Sequence, residues 1–174
     1  IESDNEFMND SGRFDLTSKG KLNLYSLFTE HSRDIINSQG RVGIVVQSGI
    51  VTDYYNQDFF KDLIEKQQLN SLYDFENREG LFPGIDNRMK FSLLTLTGGP
   101  SPVEETQYAF YLTNTDQLHS DGKVFSLSKK EIELINPNTK TCPVFRTRRD
   151  ANLTKKIYVE QPVLVNKQDD EISS

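Results

Sequence analysis

"KLNLYSLFTEHSRDIINSQGRVGIVVQSGI", residues 21–50, decides the fold. Leu24, Leu27, Phe28, His31 and Ile35 recur at the three- and four-residue intervals of one helical stripe, which is expected to face a core. Gly40 reads as a stop just past the helix, because glycine takes the left-handed conformation that ends many helices. "RVGIVVQSGI" then supplies a nearly continuous β-branched run. A strand apolar on both faces is expected to be a buried parallel strand. Helix, glycine and buried strand in that order predict an α/β domain.

Downstream, "NQDFFKDLIEKQQ" predicts a second helix with Phe59, Phe60, Leu63 and Ile64 inward, and "LNSLYDFEN" a second strand. "REGLFPGIDNR" is a loop punctuated by Gly80, Pro83 and Gly84. "MKFSLLTLTG" is a third strand. It follows too closely for a crossover helix, so antiparallel pairing with the second is expected. "GGPSPVEET" is a loop and "QYAFYLTN" a fourth strand. "SKKEIELI" is a short helix that Ser128 can cap, and "RRDANLTKKIYVEQ" a last helix for which Asp150 is the expected cap. Residues 1–19 read as a loop or frayed terminus, and the tail "NKQDDEISS" as mobile.

The 174 residues suit one domain with a core large enough to fold alone. No apolar run approaches the roughly 18–20 residues of a membrane span, and the opening residues are not expected to act as a signal peptide. Because residue 1 is Ile rather than Met, a piece of a longer chain is expected. Cys142 is the only cysteine, which points to a reducing cytoplasm. One cysteine with His31 and His119 makes a poor zinc site, so no metal is assigned. The net charge of -6 argues against a generally basic nucleic-acid binder. It hides a patch, since Lys140, Arg146, Arg148, Arg149, Lys155 and Lys156 stand against Asp150 alone. Such a patch either contacts phosphate or is simply solvated.

Phosphate-loop patterns are missing. There is no GxGxxG or GxxxxGK[ST], and Gly98-Gly99-Pro100 is a turn rather than a cradle. No Ser-His-Asp order is persuasive. The 26 acidic residues offer many carboxylate pairs, none with a spacing that singles it out.

An ordered set of motifs carries a resemblance. "GKLNLYSLFTEHSRDIINSQGRVGIVVQSGIVTD" followed by "LYDFENREGLFPGIDNRMKFSLLTL" resembles the second half of an adenine-specific DNA methyltransferase domain, of the large restriction-modification and phage-defence type. The shared features are the "NLY..F.E" helix, the "GR.GI.V" strand, the "DF.N" strand end and the "FP" loop, in order over residues 20–97. "INPNTKTCPVFRTRRDANLTKKIY" is similar to a segment that follows the catalytic core in such methylases. Gln47 departs from the family, where proline is commoner.

The resemblance implies part of a Rossmann-like methyltransferase sheet ending in an antiparallel hairpin, with a small C-terminal extension of helix and loop. It divides the chain into a flexible segment 1–19, the second half of the methyltransferase-like domain at 20–114, and an extension toward a DNA-recognition region at 115–174. It implies methyl transfer from S-adenosylmethionine to the exocyclic amine of adenine in DNA. It also implies an upstream half carrying the main cofactor loop and the Asn/Asp-Pro-Pro-aromatic loop that holds the amine, so the isolated chain is expected to be inactive. The alternative is a non-catalytic DNA-binding or scaffolding module that keeps part of the fold.

Asn136-Pro137-Asn138-Thr139 lacks the second proline and the aromatic of that loop and lies after the hairpin. It reads as a turn ending "SKKEIELI". Phe82 matches the "FP" aromatic that packs on the flipped adenine, or it is a core residue anchoring its loop. Phe28 matches the helix aromatic bordering the cofactor's adenine ring, with a structural role as the alternative. Arg88 and Lys90 stand where a backbone phosphate would lie, or are solvated strand ends. Arg146, Arg148 and Arg149 are the DNA-binding candidates of the extension.

Overall fold

Five strands form one mixed sheet in the order β1-β3-β2-β4-β5 in the computed structural model, which describes residues 7–20, 22–99, 102–138 and 141–161. The strands are β1 Arg41–Gln47, β2 Leu69–Glu76, β3 Lys90–Thr97, β4 Glu105–Leu112 and β5 Phe125–Ser128. The helices are α1 Leu24–Asp34, α2 Gly49–Thr52, α3 Gln57–Glu65, α4 Lys129–Ile135 and α5 Arg148–Glu160. β2 and β4 pair in parallel, whereas β3 is antiparallel to both β1 and β2, and β5 is antiparallel to β4. The carboxyl ends of β1, β2 and β4 therefore share one edge of the sheet. The expected antiparallel pairing of "LNSLYDFEN" with "MKFSLLTLTG" is present.

One face of the sheet carries the main core. Phe59, Phe60, Leu63 and Ile64 of α3 are buried there against Val46, Leu72, Leu94, Leu96 and Tyr108. Each such side chain contributes roughly 1.5–3 kcal/mol by leaving water. Ile132 of α4 and Ala151 of α5 join the same core, as do Phe125 and Leu127 of β5. The opposite face holds a smaller cluster of Phe75, Ala109 and Leu112, flanked by Tyr73, Phe91, Leu93, Leu118 and Val124.

Two expectations fail at the opening stretch. "RVGIVVQ" is not a buried parallel strand. Among the described residues β1 pairs only with β3, antiparallel, so it lies at the sheet's edge. Its burial alternates, with Val46 inside and Val45 57 % exposed. α1 is inverted as well. Leu24, Phe28 and Ile35 are exposed and only Leu27 of the stripe is buried, while Ser26, Thr29, Glu30 and Arg33 face inward. That polar face is held by specific partners. Glu30 accepts from the Leu16 amide at 3.2 Å and the Thr17 hydroxyl at 2.5 Å. Arg33 pairs with Asp62 and donates to Gln68 at 2.7 and 2.8 Å. Buried charges need such partners, because desolvation is otherwise costly.

Smaller corrections follow the same logic. α1 ends at Asp34, before Gly40. α5 is capped by Thr147, whose hydroxyl accepts from the Asp150 amide, and not by Asp150. Residues 7–10 are helical rather than loop, and residues 1–6 lie outside the described residues, as do the tail "NKQDDEISS", Thr139 and Lys140. Ser128 caps α4 as expected, in a capping box with Glu131. Pro137 and Asn138 form a turn just after α4. Gly98 and Gly99 do more than turn. The Gly98 amide donates to the Gly40 carbonyl at 3.0 Å, and a Cβ on Gly99 would overlap the Ser38 carbonyl.

Candidate functional site

The carboxyl edge of the sheet gathers most of the chemically interesting residues. β2 ends in Glu76, a three-residue 3-10 turn spans Asn77–Glu79, and Gly80 closes it at φ 70, a value that favours glycine. Asn77 is buried and pins the loop that follows. Its side-chain amide donates to the carbonyls of Phe82 at 3.1 Å and Ile85 at 3.0 Å, and its Oδ1 accepts from the Phe82 amide at 2.9 Å. The backbone amide of Asn77 also donates to Met89 at 2.9 Å, closing the loop's base.

This frame presents Phe82. The ring is 42 % exposed and meets Phe91 edge to face at 4.8 Å between centroids, while Phe91 stacks on Phe75 at 5.3 Å. Phe82 thus lies beyond the carboxyl end of β2, with one part of its ring supported and another open. Leu81, Ile85 and Met89 are exposed beside it in sequence. Phe28 is 65 % exposed on the outer face of α1.

The cationic candidates divide into two groups. Lys90 reaches Glu76 at 3.2 Å, and Arg78 pairs with the same carboxylate. Arg88 pairs with Asp86 at 2.7 Å. Glu76, Arg78, Asn87, Arg88 and Lys90 line an open pocket of about 460 Å³. Lys90 and Arg146 both approach the ring of Tyr111, at 5.4 and 4.6 Å from its centroid. Arg148 and Arg149 are exposed in the first turn of α5. Sequence reasoning missed Arg78, Glu76 and Tyr111. The alternating pattern of β2 could have flagged Glu76, since it shares a face with Leu72 and Asp74.

Beneath the edge lies a buried polar cluster. Asp74 Oδ1 accepts from the Ser48 hydroxyl and from the Ser92 hydroxyl at 2.9 Å. Burial pushes the Asp74 carboxyl above its usual range, opposed by the two hydroxyls and by the charge of Lys90. A raised folded pKa means that the group's contribution is complete below the unfolded carboxylate value and is lost as pH rises through the folded one. Asp74→Asn keeps a carbonyl acceptor for both hydroxyls and cannot ionise. It should therefore gain stability relative to the native chain as pH rises from about 3 to 8, read as urea midpoints. A gap that does not change with pH would show that Asp74 is not raised.

Residues 2–82 match the family model described as Eco57I restriction-modification methylase. The chain resembles a restriction-modification methylase. Solved structures carry the same α/β fold. The type IIG restriction endonuclease BpuSI aligns with TM-score 0.50 and 17 % identity, covering 74 % of this chain and 17 % of that one. A type I restriction-modification methyltransferase subunit from Streptococcus thermophilus aligns with TM-score 0.53 and 13 % identity, covering 78 % and 33 %. A structure from work on type I restriction-modification complex assembly aligns with TM-score 0.51 and 12 % identity, covering 93 % and 42 %. The chain thus spans less than half the length of each of these chains. No curated protein matches it. Among the described residues no helix is long and apolar enough to cross a membrane.

Proposed function

We propose that this chain is the C-terminal portion of the catalytic domain of a site-specific DNA adenine methyltransferase in the cytoplasm. The observation that carries the reading is the Asn77-pinned loop holding Phe82 half-exposed beyond the carboxyl end of β2, where open α/β sheets place their ligands. Residues 20–114 form the methyltransferase-like part, and residues 115–174 lead toward DNA recognition. An adenine amine is unreachable inside a duplex, so the base must be extruded and its lost stacking replaced. Phe82 forms one wall of that pocket. S-adenosylmethionine supplies the methyl group when bound. The exposed ring of Phe28 fits a wall for its adenine, and the remainder of that site comes from the N-terminal half of the domain. Arg88, Lys90, Arg146, Arg148 and Arg149 contact the DNA backbone.

The exposed edge of β1 and the outward apolar residues of α1 support a partner half. An edge strand presents unpaired backbone groups, and Leu24, Phe28 and Ile35 lie open on α1. Isolated, the chain should transfer no methyl groups to DNA from labelled S-adenosylmethionine. Incorporation above background would overturn the assignment of the missing machinery to the other half. Co-expression with the N-terminal half of a methylase bearing this segment should restore transfer.

A further inference from the structure

We propose that the Glu76 carboxylate is a resident anion occupying the seat that a nucleic-acid phosphodiester takes between Arg78 and Lys90. This rests on the reading that the carboxyl edge of the sheet faces DNA. The seat has the composition of an anion site. Arg78, Arg88 and Lys90 ring the pocket with the carboxamide of Asn87; Glu76 is the only acid lining it, while Arg88 is paired with Asp86. The carboxylate is at the floor, with its side chain 10 % exposed, while Arg78 is 71 % and Lys90 47 % exposed above it. Burial opposes ionisation of Glu76, but the hydrogen bond from Lys90 and the charges of Lys90 and Arg78 outweigh it and hold its pKa below the usual range.

Lys90 is held in place from the other side by the ring of Tyr111. Tyr111 has φ 58, a left-handed conformation that is rare for an aromatic residue. It sits at a bulge, where the β2–β4 register shifts between Tyr73 and Phe75. The bulge directs the ring to Lys90, paired across the strands with Glu76, and brings Arg146 to the same ring. An ammonium carries three donors and a guanidinium five, so both can bind a phosphate once freed from the carboxylate. Arg78 and Lys90 are themselves solvent-exposed, so salt screens their hold on Glu76, and they can turn outward to a polyanion that contacts several cations at once. The carboxylate thereby lowers the chain's affinity for DNA in general.

The test uses the 174-residue chain and a fluorescent 20-base-pair duplex of arbitrary sequence, with anisotropy followed over a sodium chloride series. Glu76→Gln should bind roughly tenfold tighter and steepen the salt slope by about one to two phosphate contacts. Arg78→Ala should weaken binding and remove most of that gain in the double variant. Arg78 is exposed, so its variant carries the test even if Glu76→Gln melts early, and unchanged binding by Arg78→Ala would then overturn the seat. Inorganic phosphate should displace the duplex no better than chloride at equal ionic strength. Better displacement identifies a small-anion site and overturns the assignment to the nucleic-acid backbone. If Glu76→Gln leaves affinity and slope unchanged while Arg148→Ala with Arg149→Ala weakens binding, the seat falls and the DNA reading stands. If no variant and not the native chain binds at low salt, both fall.

Discussion

Asn77→Ala should lower the melting temperature by about 5–10 °C and open residues 78–88 to proteolysis. The side chain makes three hydrogen bonds to the backbone of a loop in which no residue from 78 to 88 is buried. A net hydrogen bond contributes roughly 0.5–1.5 kcal/mol, so about 2–3 kcal/mol is at stake. In a domain of this size each kcal/mol moves the midpoint by roughly 2–4 °C. Asn77→Asp, though the same shape, should do no better. Its carboxylate offers no donors to the Phe82 and Ile85 carbonyls and sets a charge against them. A thermal scan with limited proteolysis decides the matter. An unchanged midpoint with an intact loop would show that the apolar contacts of Leu81, Phe82 and Ile85 hold the loop without Asn77.

Phe82→Ala, made in a complete methylase bearing this segment, should slow methyl transfer by about 5- to 150-fold and leave cofactor affinity nearly unchanged. Stacking of a base on an aromatic side chain is worth roughly 1–3 kcal/mol, and each 1.36 kcal/mol is tenfold in rate. The fold should barely notice, because the ring is partly solvent-facing and its support is an edge contact with Phe91. Single-turnover transfer, measured beside cofactor titration, separates the two effects. Equal losses in stability and in transfer would return Phe82 to the role of a loop anchor.

The element types were readable because their patterns are local. Phe59, Phe60, Leu63 and Ile64 fall on one helical face, and the short gap before "MKFSLLTLTG" leaves room for only an antiparallel return. Which face meets solvent was not readable at α1. Periodicity finds Leu24, Phe28 and Ile35 on one side but not the partners that satisfy Glu30 and Arg33 on the other. Those partners, Thr17 and Asp62, lie 13 and 29 residues away. β1 misled for a related reason. β-branched residues suit an edge as well as a centre, and Val45 carries no mark of its exposure. At the site, the aromatic of "GLFPGID" was visible as a motif. Asn77, quoted in "DFEN", gave no sign that it holds that loop. Arg78 and Glu76 acquire meaning only when Lys90 and Tyr111 arrive from neighbouring strands.

The placement of β3 between β1 and β2 also fixes an order of events during synthesis. β1 is made before β2, yet its neighbour in the sheet is Lys90–Thr97, and β2 emerges in between without pairing with it. Until β3 has begun to leave the ribosome, β1 lacks the one strand it pairs with among the described residues. A β-branched segment left waiting in that way is exposed to other chains, and non-local pairings of this kind form slowly. The interval between translation of Arg41 and of Lys90–Thr97 is therefore one in which β1 waits for its β3 neighbour.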